Sequence, residues 1–227
     1  MGGPILLKEI YLEQDPPEEF DIEGFPTFSL FFDNDSPDPR TLDTITRKTY
    51  PITLEEYERQ KALYKKGYTR GLTGERRIMA ESEIEQFFET EVKQSYTQFD
   101  EFTQAVLERL RMGMGYEIRV VAYSSPLAPA RYNLNLSKRR ISSMENYYRS
   151  YNNGEMAKYV DNGAIEFTMI SHGERLAPSS VSDNPRDRKN SVYSPTAARE
   201  RRVVIIGVGE KEIDSSGSKS DTGVISN

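Results

Sequence analysis

Apolar positions along this chain follow two periods, and the change from one to the other outlines its elements. Short runs rich in β-branched and aromatic residues, or alternating with period two, mark strands at Ile5–Leu12, Phe25–Phe32, Tyr116–Tyr123, Ala164–Ser171 and Ala198–Val208. Asp15, Pro16 and Pro17 cut off the first of these, because proline lacks a backbone donor and forces extension. It is assigned to an N-terminal extension or linker, residues 1–24, which leaves four strands for the domain proper. Helical spacing places Leu54, Tyr57, Lys61 and Tyr64 along one helix, Leu54–Lys66, and Ile84, Phe87, Phe88 and Val92 along another, Glu81–Val92. Phe99, Phe102, Val106, Leu107 and Leu110 form a stripe on a third, Tyr96–Met112, stopped by Gly113 and Gly115. A fourth helix, Leu134–Tyr151, ends near Asn152, Asn153 and Gly154.

Between these elements lie two long polar stretches. Asp33-Asn34-Asp35-Ser36-Pro37-Asp38-Pro39 is a dense turn signal that closes the second strand, and Leu176–Ala197 reads as a Ser/Pro/Asp/Arg-rich loop. The order strand, charged segment of about 41–94, helix, strand, helix, strand, loop, strand predicts an α/β (α+β) two-layer sandwich. A mixed four-stranded sheet would be covered by helices, with a helical insertion after its first strand. That tyrosine-decorated insertion is expected to be a lid or partner-binding appendage, or else an extension that covers a sheet edge. Residues 211–227 are Ser/Gly/Asp/Lys text of the kind that forms a disordered tail.

Composition narrows the function classes. With 227 residues, 36% hydrophobic and 29% charged, the chain is polar but globular. A net charge of −6 argues against bulk nucleic-acid binding, which needs a cationic face, and the basic clusters at Lys138–Arg140, Arg186–Lys189 and Arg199–Arg202 are short. The absence of cysteine excludes disulfides, a thiolate zinc site and an acylated lipoprotein cysteine. The longest apolar run, Val203–Val208, is far short of the ~20 residues a membrane span needs. MGGPILLKEIYLEQD has no basic start with an apolar stretch behind it, so no signal peptide is read there. Work outside the cytoplasm would then imply excision from a longer precursor; the alternative is a cytoplasmic assembly component.

The most informative segment is AYSSPLAPARYNLNLSKRR, Ala122 to Arg140. It combines a strand end, a polar turn, the pair Tyr132-Asn133 and a helix opening with Leu-Ser-Lys-Arg-Arg. This text resembles the central signature of OmpA-like peptidoglycan-binding domains, in a Bacteroidota-type variant with an insertion. There the strand ends in Gly-His-Thr-Asp, followed at set distances by Tyr-Asn and Leu-Ser-x-Arg-Arg-Ala. Here the turn is Ala122, Tyr123, Ser124 and Ser125, so Ser125 replaces the family aspartate, while the arginine expected 15 residues later (140 − 125) is present as Arg140. Phe32, Asp33 and Asp35 match the family's first-strand ending, Gly173-Glu174 its turn after the third strand, and Arg201, Arg202, Val203 and Ile205 its closing strand.

The resemblance implies a non-enzymatic module that anchors an outer-membrane-associated protein in the periplasm by gripping the peptide stem of peptidoglycan. The diaminopimelate side chain of that stem carries a carboxylate and an ammonium at one end, so its pocket needs a cation and an anion. Arg140 would fork the carboxylate, helped by its place near a helix N-terminus. Tyr123, Ser124, Ser125 and Asn133 complete the implied site, with Asn133 also suited to bonding the turn's backbone and opening the helix as a cap. Ser125 carries no charge; Asp33 and Asp35 are carboxylates that could compensate, but the sequence does not place them. Arg139 is either a solvated helix residue or a salt-bridge partner for the sheet, and Arg201 is a weaker candidate. The alternative is an OmpA-like scaffold that has lost the wall ligand and docks a protein of an envelope secretion, gliding or injection machine through its insertion.

Other chemistry is poorly represented. The Asp33–Asp38 acidic turn lacks the central Gly and distal Glu of a calcium loop, and His172 is the only histidine. No Gly-x-Ser-x-Gly elbow and no phosphate-cradling loop occur. No cofactor, metal site or catalytic residue is therefore assigned.

Overall fold

The computed structural model describes residues 8–11, 27–123, 127–171 and 182–211. Its strands are β1 (Lys8–Tyr11), β2 (Phe28–Phe31), β3 (Gly115–Ala122), β4 (Ile165–Ser171) and β5 (Arg202–Lys211). They form one mixed sheet in the order β1-β4-β3-β5-β2. β1 and β3 run parallel to β4, and β5 runs antiparallel to both β3 and β2. The α/β two-layer class holds, but the sheet has five strands rather than four. The extension contributes β1, which takes the free edge of β4 with Ile10 opposite Ile170. A bulge at Arg119/Val120 absorbs the surplus apolar position of the Val203–Val208 run.

Alternation sets the layers. Tyr116, Ile118 and Val120 of β3, Ile165, Phe167 and Met169 of β4, and Val203 and Ile205 of β5 are buried with Phe28 and Leu30 of β2. The facing layer is made by α4 (Lys93–Arg111) and α5 (Ala130–Gly154). Phe99 and Phe102 of α4 lie 6.4 and 5.5 Å from the Phe28 ring, and Tyr148 of α5 lies 5.4 Å from Phe167. α5 keeps helical dihedrals to Ser150 and turns at Asn152 and Asn153, whose φ values of 48° and 57° lie in the left-handed region asparagine tolerates. The short α6 (Ala157–Asp161) then leads into β4.

The insertion is built into the same core. It holds α1 (Tyr50–Arg59), α2 (Lys61–Tyr68) and α3 (Gly74–Gln86). A π-helical stretch, Phe87–Val92, joins α3 to α4 without a break, so the expected boundary near residue 94 falls inside one continuous helical run. Aromatic rings carry the contact: Tyr50 sits 5.3 Å from Phe32 and 5.6 Å from Phe99, while Phe87 sits 5.4 Å from Phe31. Tyr57, Tyr64 and Phe88 pack against one another with ring centroids 5.0–5.6 Å apart, Tyr64 edge-on to both of the others. The insertion thus lies beside β2, the outer strand of its side of the sheet, and covers that edge.

The expected loop 176–197 is not wholly irregular. Within its described part, Lys189–Tyr193 forms a π turn and Pro195–Arg199 forms α7. Ser194 caps α7 by accepting from Ala197 N at 3.2 Å, and Pro195 supplies the first-turn φ, so the last strand begins at Arg202 and not at Ala198. The expected Gly173-Glu174 turn and the tail 212–227 lie outside the described residues.

The π turn is locked to the insertion through Gly67 of α2. A Cβ there would sit 2.2 Å from the Tyr193 ring, so the glycine is present for close approach and not for backbone freedom. Gly67→Ala should therefore destabilise the fold by about 1–3 kcal/mol, opposite in sign to the gain of about 1 kcal/mol that helix propensity alone would give. Urea melts of the variant and of Gly67→Ala/Tyr193→Ala check this, since the second change should restore the propensity gain.

Candidate functional site

The segment Asp33–Thr49, between β2 and α1, makes few backbone bonds of its own and is held instead by one polar stripe of α5. Tyr132, Asn135, Arg139, Ser142 and Asn146 recur at steps of three and four, which places them on one helix face. Asn135 Nδ2 donates to the Leu42 carbonyl at 2.8 Å, and Asn146 Nδ2 to those of Thr46 and Lys48 at 2.8 and 3.0 Å. Ser142 Oγ accepts from Thr46 N at 3.3 Å. Arg139 donates to the carbonyls of Pro37, Thr41 and Asp43 at 3.1, 2.9 and 2.7 Å. Arg139 is 0% exposed, so it is neither the solvated residue nor the sheet-facing ion pair that its polar setting suggested. Its nearest carboxylate, Asp35, lies 4.0 Å from Nη2. Asp35, Asp38 and Arg40 take left-handed φ values of 59°, 52° and 62°, a strain on the order of 1 kcal/mol where the residue is not glycine, held by these tethers.

Arg140, the next residue, turns the other way. It too is 0% exposed, stacked 5.2 Å over the Phe32 ring, with Nε donating to Ser36 O at 3.1 Å and Nη1 to Tyr123 O at 2.9 Å. Its Nη2 is buried without a hydrogen-bond partner. Burial, with Arg201 and Arg139 as positive neighbours, pushes the Arg140 guanidinium down from its ordinary value to about 9, still protonated at neutral pH. Arg201, 1% exposed, donates from Nη2 to Tyr64 Oη and Val192 O at 3.0 and 2.8 Å, while its Nε and Nη1 are buried without partners.

Arg140 and Arg201 both line a cavity of about 340 Å³. Its rim and walls are Asn34, Asp35 and Arg40 from the segment after β2, and Leu127–Pro129, Tyr132, Asn133 and Leu136 from the start of α5. Asp35 accepts from Tyr132 Oη and from Arg40 N, the latter at 3.0 Å, and Arg40 N also donates to Tyr132 Oη at 3.1 Å. Burial and the adjoining Asp35 carboxylate hold the Tyr132 hydroxyl above its ordinary pKa, so it remains a donor. The arrangement is a small concave site with two buried cations, one carboxylate and an apolar wall, suited to a compact anion or zwitterion.

The structure sorts the sequence candidates. Arg140 and Asn133 line the cavity. Asn133 does not cap α5, which starts at Ala130 behind Pro129; its Nδ2 instead reaches back to Ala128 O at 2.9 Å and ties the turn to the helix. Tyr123 meets Arg140 through its carbonyl, and its ring lies 4.3 Å under the Arg202 guanidinium. Ser124 and Ser125 lie outside the described residues. Asp33 turns aside to accept from Tyr64 Oη at 2.5 Å. Arg40 and Tyr132 were not read as site residues; the spacing of Tyr132 with Asn135 and Arg139 was the available signal. Among the described residues no group of acidic or histidine side chains is arranged to hold a metal, and no helix is long and apolar enough to cross a membrane.

Comparison with protein-family models, curated proteins and solved structures returned no match. The geometry has to speak for itself.

The two adjacent arginines should respond differently to removal. Arg139→Met strands three carbonyls and should cost about 2–4 kcal/mol. It should also speed amide exchange across Thr41–Lys48. Arg140→Met strands two carbonyls but also removes a buried cation repelled by Arg139 and Arg201, and should cost less than half as much. Equal losses in urea melts would show that both serve the same structural purpose.

Proposed function

We propose that this chain is a non-enzymatic anchoring module that binds the peptide stem of peptidoglycan in the cavity beneath Arg140, working in the periplasm as part of an outer-membrane-associated protein. The observation that carries this reading is the buried Arg140 guanidinium, facing a ligand-sized cavity with an unused Nη2 donor. Removing a guanidinium from water costs several kcal/mol, recovered only when an anion and good hydrogen bonds meet it. Carbonyls meet Nε and Nη1; a ligand carboxylate at Nη2 would supply both the missing bond and the missing charge. Arg201 adds a second cation to the same wall, which deepens the preference for an anionic end. The resemblance of Ala122–Arg140 to OmpA-like text gives that anion an identity, the carboxylate of a diaminopimelate side chain.

A second reading has its own support. Ile78 and Met79 of α3 are 67% and 65% exposed, and Leu63 of α2 is 46% exposed, so the insertion presents apolar side chains that could dock an envelope-machine protein. These residues are scattered and do not form a concave site, and the first reading is preferred for that reason.

Calorimetry with purified muropeptide stems decides between them. The wild type is expected to bind in the micromolar to sub-millimolar range, and Arg140→Ala, shown by thermal melting to be folded, to lose binding. No heat with stems and no retention on whole sacculi would sink the wall-anchor reading and favour the insertion as the functional surface.

A further inference from the structure

We propose that the outer face of the α2–α3 hairpin is a docking surface for an anionic lipid bilayer, with its cations on headgroup phosphates and its exposed apolar side chains in the interface. This surface belongs to the insertion and shares no lining residue with the Arg140 cavity. The chain reverses its sign here. Residues 62–77 hold five cations, Lys65, Lys66, Arg70, Arg76 and Arg77, against one carboxylate, Glu75, in a chain whose net charge is −6. A cationic patch on an otherwise acidic protein turns that side of the molecule toward an anionic surface.

The hairpin spends its carboxylates between its own helices. Lys61 and Lys65 of α2 pair with Glu85 of α3, and Tyr68 Oη donates to Glu83 at 3.0 Å. Arg77 is engaged by Glu81 at 2.8 Å. Lys66, Arg70 and Arg76 are exposed, and among the described residues no carboxylate pairs with them. Between the helices lies a concavity of about 470 Å³ lined by Lys65, Lys66, Arg70 and Arg77, so cations from both helices share one surface. Lysine supplies a point charge for a phosphate, and arginine a fork of hydrogen bonds.

Apolar side chains accompany these cations. Leu63 and Lys66, three positions apart, share one side of α2, while Tyr64 turns into the core. On α3, Ile78 and Met79 are exposed directly after Arg76 and Arg77, whereas Ala80 and Ile84 are buried. Leu63, Ile78 and Met79 form no concave site for a protein, but a bilayer interface needs none. It takes up separate apolar side chains, and the attraction of cations to anionic lipid adds to their burial. Helices of 8 and 13 residues are too short to span a bilayer, so the hairpin would lie on its surface.

Vesicle flotation of the intact chain tests this with two compositions, phosphatidylcholine alone and an equal mixture of phosphatidylcholine and phosphatidylglycerol. The protein is expected to float with the anionic vesicles at low salt. It should stay in solution with the neutral ones, and with both at high salt, where screening removes the attraction. Each cation near an anionic surface contributes about fivefold in partitioning, so Lys66→Glu/Arg70→Glu should lower it at least about 25-fold. Ile78→Ser/Met79→Ser leaves every charge in place and should lower it about tenfold. Both variants should melt at the wild-type temperature, since the four side chains are exposed. Equal flotation with neutral and anionic vesicles, or undiminished flotation of either folded variant, would overturn the inference. Absence of flotation with any vesicle would also overturn it and leave this face to a protein partner.

Discussion

The burial of guanidinium groups against backbone carbonyls is the constraint from which the rest of this structure follows. Arg139 and Arg140 are both removed from solvent near the start of α5, and neither is within hydrogen-bond distance of a carboxylate. Guanidinium carries five donors in a fixed plane, so it can satisfy itself on carbonyls only if a stretch of chain supplies several of them at defined places. The Asp33–Thr49 segment does this because it is irregular: its carbonyls are not used up by a ladder or a helix. Five carbonyls, of Ser36, Pro37, Thr41, Asp43 and Tyr123, meet the two side chains. The arginines and the segment therefore determine one another. Without the segment the charges would be stranded, and without the charges the segment would keep only the tethers of Tyr132, Asn135, Ser142 and Asn146 along α5.

Adjacent residues on a helix point about 100° apart, and that small fact separates an arginine that ties down the segment from one that lines the cavity. Arg139 continues the stripe of Tyr132, Asn135, Ser142 and Asn146 and spends its donors on the segment beside it. Arg140 is rotated toward the cavity and stacks on Phe32, and each of the two arginines keeps an Nη2 that is buried without a hydrogen-bond partner. Burial and two like-charged neighbours weigh against the Arg140 cation and depress its pKa. Asp35 and Asp33 act in the other direction and favour the charged form.

The hydrophobic framework was open to reading from the sequence because alternation and helical stripes are set by burial, which is local in sequence and periodic. Tyr116, Ile118 and Val120 fall on the inner face as their spacing requires, and so do Phe99 and Phe102. The site was half legible. Arg140 could be singled out by its distance from the turn, but the partners of Arg139 are irregular backbone about a hundred residues away, and carbonyls leave no trace in a sequence. Arg139 could be read as a solvated residue because Asn, Ser and Arg, which a solvated face also uses, make up most of the polar stripe of α5. Its distinguishing mark was that all five members can donate or accept toward backbone, at helical spacing, on a helix whose other side is apolar. α7 was lost in a Ser/Pro-rich stretch whose average composition hid one Ser-Pro cap. β1 was set apart as a linker because the prolines behind it end the run; they do not prevent four residues from pairing with the open edge of β4.

The insertion gains meaning from the same wiring. Tyr64 of α2 accepts from Arg201 Nη2 at 3.0 Å and donates to Asp33 at 2.5 Å, so a helix of the insertion reaches the back of the cavity wall. Burial holds the Tyr64 hydroxyl well above its ordinary pKa, so it remains neutral and bridges a cation and an anion without altering the local charge. Asp33 and Asp35 are two residues apart, and the first is held by the insertion while the second faces the cavity. The insertion is therefore more than a cover for the β2 edge. Its aromatic core keeps Arg201 and the acidic turn in fixed relation, and the charge balance of the pocket depends on that relation.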